Sequence, residues 1–196
     1  LGATPFMVFL AAFSAVLARW ANKDDLLIGS PIANRNRAET EGLIGFFANT
    51  IALRADLAGD PSFRELVVRM RDITLGAYDH QDLPFERLVE ELRPERDLAH
   101  APLCQVVFAY QAAGPSGVPN EIKATQTSSE PGTESKAAPI TAGTAKFDLT
   151  LLLSETSTAI RGTLEYATDL FDRTTAERLI GHFERLLTAA LVDPER

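Results

Sequence analysis

The apolar residues of this chain change period as the sequence runs, from helical spacing to strict alternation and back, and that order leaves few folds open. Thr4 and Pro5 form a cap followed by a first-turn proline, and Phe6, Phe9, Leu10, Phe13, Val16 and Leu17 then recur at helical spacing to about Ala21. "DLLIGSPIA" (25–33) reads as a short apolar strand, and "NRNRAETEG" (34–42) as a polar connection to a second strand, "IGFFANTIALR" (44–54). A helix starting at Asp60 and Pro61 carries Phe63, Leu66, Val67, Met70, Ile73 and Ala77 inward and ends near Tyr78. A shorter helix with Phe85, Leu88, Val89 and Leu92 follows "DHQDLPFE", where Asp82 reads as a cap, and stops at Pro94. Residues 103–110 read as a strand, and "KFDLTLLLSE" with "AIRGTLEYAT" as a hairpin. The last helix runs from Thr174, in a capping box with Glu177, to about Leu191. The expectation is α/β: one mixed sheet covered by helices, as a single domain.

One residue breaks the pattern. In residues 44–54 the alternation puts Phe47, Asn49, Ile51 and Leu53 on one face, so an amide sits in an apolar stripe. Left unpaired and buried it costs about 1–3 kcal/mol. It therefore needs hydrogen-bond partners, and backbone at an irregular strand end is one source of them.

Composition excludes more than it selects. With 27 acidic and 19 basic residues the formal net charge is −8, and no basic cluster offers itself to nucleic acid. The opening apolar run lacks a basic leader and passes directly into Arg19 and Trp20, so it reads as a core helix and not as a signal peptide. A first residue that is not Met suggests a piece of a longer chain. From Ala112 to Lys146, 24 of 35 residues are Ala, Gly, Pro, Ser or Thr and none is aromatic, which reads as a mobile loop with at most a short strand around "NEIKAT".

The chemistry-bearing residues are sparse. Cys104, the single cysteine, lies in "LCQVVF" and reads as a buried thiol. His80, His100 and His182 have no metal spacing and no neighbouring histidine; His182 reads as a boundary residue on its helix and His80 as part of a turn. There is no phosphate loop, glycine fingerprint or nucleophile elbow.

Three stretches in order, "IGFFANTIALR" (44–54), "HQDLPFERLV" (80–89) and "RDLAHAPLCQVVF" (96–108), resemble successive core motifs of nonribosomal peptide synthetase condensation domains. "GSPIANRNR" (29–37), "AKFDLTL" (145–151) and "LEYATDLFDRTT" (164–175) are similar to that family as well, so the resemblance spans nearly the whole chain. It implies one lobe of a two-lobe, chloramphenicol acetyltransferase-like fold, here the C-terminal lobe. The family's HHxxxDG signature does not occur in the sequence and is expected on an N-terminal lobe absent from it.

By that resemblance this chain supplies one wall of a channel in which a carrier-bound aminoacyl or peptidyl thioester is attacked by the amine of an acceptor aminoacyl-carrier. No catalytic residue is expected here and the chain alone is expected to be inactive. Asn49, Ser30, Arg35 and Arg37 fall at the channel or its rim. The implied partners are the N-terminal lobe and the donor and acceptor peptidyl carrier proteins, whose phosphopantetheine arms enter the channel; no metal or directly bound cofactor, nucleic acid or membrane is expected, and a cytoplasmic location is. "TDLFD" and residues 112–146 are expected to touch the missing lobe, and an apolar face to lie bare for it. Two positions depart from the family: His100 and Ala101 stand where Arg-Asn is usual, and Ala48 where valine is commoner. Relatives that epimerize or cyclize usually differ around Asn49, so peptide-bond formation is the implied activity. A non-catalytic carrier-binding module is the second reading, and an acyltransferase using His80 or His100 a third.

Overall fold

A computed structural model describes residues 1–35, 38–93, 101–112 and 145–195. Its elements in chain order are α1 (Pro5–Ala21), β1 (Asp25–Ile32), α2 (Ala38–Glu41), β2 (Asn49–Asp56), α3 (Phe63–Asp79), α4 (Phe85–Leu92), β3 (Val106–Gln111), β4 (Leu149–Glu155), β5 (Ile160–Tyr166) and α5 (Arg173–Val192). The five strands make one mixed sheet in the order β2-β1-β3-β4-β5. The outer pairs, β1–β2 and β4–β5, are antiparallel, while β1–β3 and β3–β4 are parallel. The "KFDLTLLLSE" and "AIRGTLEYAT" hairpin is present, closed where the Thr156 amide donates to the Ala159 carbonyl.

The core lies on the helix-covered face of this sheet. Ile28 of β1, Leu53 of β2, Phe108 of β3 and Leu151 of β4 meet Leu10, Phe13, Val67, Met70, Leu179 and Phe183 there. Because α1 is flanked by both α3 and α5, it is buried nearly all round, with Ala11, Ala12 and Ser14 as inaccessible as Leu10. Ser14 is satisfied within its own helix, its hydroxyl donating to the carbonyl of Leu10 at 2.8 Å. Phe108 anchors the centre, its ring centroid 5.3 Å from Phe6 and 6.0 Å from Phe13.

Several boundaries differ from the sequence reading, each for a local reason. The helix expected from Asp60 is capped two residues later by Ser62, whose hydroxyl accepts from the Glu65 amide while the Glu65 carboxylate accepts from the Ser62 amide. Asp60 is left-handed at φ 51°, next to Gly59 at φ 85°, and so belongs to the preceding turn. The last helix is capped by Asp172, not by Thr174: the carboxylate accepts from the Thr175 amide at 2.7 Å and the Thr174 hydroxyl at 2.8 Å, and Glu177 pairs with Arg173. Those bonds to Asp172 hold its carboxyl below the usual carboxylate range. The strand expected from 103 begins at Val106, since Leu103 is left-handed at φ 63°. The short α2 was not expected at all, and the strand expected from Ile44 begins only at Asn49. Pro94, His100 and the stretch 113–144 lie outside the described residues.

Candidate functional site

The corner where β1 leaves the sheet and β2 enters it holds most of the residues that the sequence singled out. Asn34 is left-handed at φ 50°, a conformation that asparagine adopts more readily than most residues, and turns the chain so that Arg35 reaches back over the connection. The Arg35 guanidinium donates to the carbonyls of Thr40, Leu43 (3.0 Å) and Gly45 (3.2 Å), and its carbon lies 4.3 Å from the centre of the Phe47 ring. The ring is in turn folded against Gly45, where an added Cβ would come within 3.1 Å of Phe47 Cε2. Within residues 44–48 the Gly45 carbonyl is thus bonded to a side chain, and regular pairing with β1 begins only at Asn49. The result is an arch, 42–48, with Phe47 folded inward, Ile44 fully exposed and Phe46 92% exposed.

Asn49, the first residue of β2, answers its own anomaly. Its amide nitrogen donates to the carbonyls of Gln81 (2.9 Å) and Leu83 (2.8 Å), and its amide oxygen accepts from the backbone N–H of Phe85 at 3.0 Å. Phe85 is the first residue of α4, and the residue before it is Pro84, which has no side-chain acceptor to offer. Asn49 therefore supplies, from another element, the cap that α4 lacks locally. Asp82, expected as that cap, makes no such bond. None of the α4 residues is fully buried, and Phe85, Leu88 and Val89 are half-covered, so the helix depends on this cap more than a core helix would.

The other sequence-selected residues separate. Ser30 pairs with Ile51 in the sheet and is 2% exposed; Arg37 lies outside the described residues. His80 ends α3, its Nδ1 donating to the Gly76 carbonyl at 3.0 Å, which is a turn's bonding. His182 is on α5, where its Nδ1 accepts from the indole N–H of Trp20 at 3.0 Å. Cys104 is buried against Gly29, and burial pushes its thiol up to about 11, so it stays protonated and unreactive near neutral pH. Tyr110, whose hydroxyl donates to Glu155 at 2.6 Å, is pushed up to about 12 by burial and by that carboxylate. Among the described residues, no group of three or more His, Cys, Asp or Glu is placed to hold a metal ion, and no helix is long and apolar enough to cross a membrane. A separate apolar groove of about 410 Å³ runs between β5 and α5, walled by Ile160, Leu164, Ile180 and Leu187.

What sequence reasoning missed was the way Arg35, Gly45 and Phe47 work as a unit, and the cross-element cap. The second had a signal: a helix starting after proline without a local acceptor, and a stranded amide elsewhere, are two defects that cancel each other.

Comparison with known proteins gives the same family as the motifs. A condensation-domain family model matches residues 1–196. The chain is 48% identical over 192 residues to a linear gramicidin synthase of Brevibacillus parabrevis, covering 96% of this chain and 4% of that protein. It is 48% identical over 195 residues to malpinin synthetase of Mortierella alpina, covering 100% of this chain and 2% of the other. The chain thus spans only a few per cent of these relatives' lengths. Among solved structures, holo-AB3403, a four-domain nonribosomal peptide synthetase bound to AMP and glycine, superposes with a TM-score of 0.85 at 26% identity, over 99% of this chain and 15% of that one. The X-domain from teicoplanin biosynthesis does so with 0.78 at 33%, over 100% of this chain and 43% of that one. With its motifs, its chloramphenicol acetyltransferase-like mixed α/β fold and its relatives in agreement, the chain belongs to the condensation-domain family of nonribosomal peptide synthetases.

Proposed function

We propose that this chain is the C-terminal half of a condensation domain and forms one wall of the channel in which a carrier-bound thioester is attacked by the amine of an acceptor aminoacyl-carrier. The observation that carries this reading is one of proportion. The chain aligns end to end with 43% of the teicoplanin X-domain, and its 196 residues contain no HHxxxDG. A second lobe is the natural source of the remaining length and of the histidine that serves as base or positioning group for the attacking amine.

In this reading the chain's own residues do no proton transfer. The arch and the Asn49-capped turn shape the wall, with Ile44 and Phe46 meeting the other lobe. Ser30, buried in β1, backs the wall from within the sheet. The phosphopantetheine arms of donor and acceptor carrier proteins enter between the lobes, and the lobes exclude water from the thioester.

The test is peptide-bond formation between loaded donor and acceptor carrier proteins, with this chain alone and with a separately expressed lobe carrying HHxxxDG. Product only from the mixture supports the reading. Product from the chain alone would overturn it and return attention to His80 and His100; carrier binding with no product in either case would favour a non-catalytic binding module.

A further inference from the structure

Ile44 and Phe46 pose an energetic problem. Two large apolar side chains, two residues apart, are almost wholly in water, with Leu43 half-exposed beside them. A free loop of this composition folds such side chains inward. Here the inward place is taken by Phe47, and the carbonyls that steer the backbone are held from one side by one guanidinium.

We propose that Arg35 is a positioning residue for condensation, which acts by holding the 42–48 arch with Ile44 and Phe46 turned outward. The proposal rests on the reading of that arch as facing the second lobe. Three features of the corner argue for it. The guanidinium contacts successive parts of one segment, Thr40, Leu43, Gly45 and Phe47, so these bonds define the arch. The planar fork can bond carbonyls at its edge while stacking its face on a ring, which an ammonium cannot do. Finally, Gly45 leaves the space that the Phe47 ring occupies, so the stack is built into the backbone.

The consequence is preorganisation: an arch already in its docked shape loses less freedom when the lobes close than one that must order itself. Arg35→Lys keeps the charge and loses the fork; Arg35→Ala loses both. Gly45→Ala forces the Phe47 ring to give by a few tenths of an ångström and so loosens the stack while leaving the Arg35 side chain itself unchanged.

The experiment has two arms. In this chain, chymotrypsin nicking at Leu43, Phe46 and Phe47 reports the arch, with thermal melting as the control for global folding. In the intact condensation domain, turnover between loaded carriers reports the reaction. Arg35→Ala and Gly45→Ala are expected to quicken nicking and to lower turnover roughly tenfold with the melting temperature little changed, and Arg35→Lys to fall nearer Ala than wild type. Faster nicking with unchanged turnover overturns the proposal, as does lowered turnover with unchanged nicking, or no change in either. The double variant Ile44→Asp/Phe46→Asp, with Arg35 intact, separates the two readings. If it lowers turnover while Arg35→Ala does not, only the role of Arg35 falls; if it too leaves turnover unchanged, the lobe-facing reading of the arch falls with it.

Discussion

Phe108, inaccessible between Phe6 and Phe13, and Asn49, whose amide reaches backbone groups 32 to 36 residues away, lie on the same sheet and are held by different physics. Around Phe108 the chain is held by apolar area, which is non-directional and tolerates many equivalent arrangements. Around Asn49 and Arg35 it is held by a few bonds whose value depends on angle and distance. Core packing makes the fold; directed bonds give one corner of it a particular shape.

The largest effect that sharpens this contrast is Phe108→Ala, expected to cost about 3–5 kcal/mol, because a buried ring leaves a cavity that its neighbours cannot fill. Urea unfolding followed at the single tryptophan, Trp20, measures it. A loss below about 1 kcal/mol would mean that packing around this ring does not dominate the stability of the chain.

Asn49→Ala comes next. It leaves the Phe85 N–H and the Gln81 and Leu83 carbonyls without their partner and should cost about 1–3 kcal/mol. Its signature is location: hydrogen exchange should speed up in residues 81–92 and stay slow in α1 and β3. Uniform acceleration would erase the distinction between corner and core.

The smallest effect concerns another directed contact, the Asp172 cap. Its carboxyl titrates below the ordinary value of about 3.9 in the folded chain, so the stability it lends is present above that pH and is lost as pH falls toward the folded value. Asp172→Asn, which still offers an acceptor to the Thr175 amide, should flatten the decline of the urea midpoint below about pH 4. An unchanged acid limb would show that the cap does not depend on charge.

How much of this could be read in the sequence follows the same division. Period and composition located the helices and strands around Phe13, Phe108 and Leu179, because burial leaves a repeating mark. The motifs gave the family. The entrance to β2 reads as strand because the "IGFF" run has the apolarity of one, and nothing in periodicity reveals that Arg35, upstream of that run, bonds the Leu43 and Gly45 carbonyls. Helix starts were displaced at Ser62 and Asp172 because several residues in each stretch are competent caps and only geometry chooses among them. Asn49 was recognised as an anomaly, yet its partners are backbone groups, which have no sequence signature.

The cap that β2 lends to α4 also bears on how such domains can be recombined. Asn49 and the turn 81–85 are separated by the whole of α3, yet they form a single unit. A chimera joined anywhere between Thr50 and His80 takes the amide from one parent and the turn from the other, and inherits the bond only where both parents share the same geometry. Crossovers placed before Asn34 or after Leu92 carry the arch, the amide and the turn together, and so exchange the corner as one inherited piece.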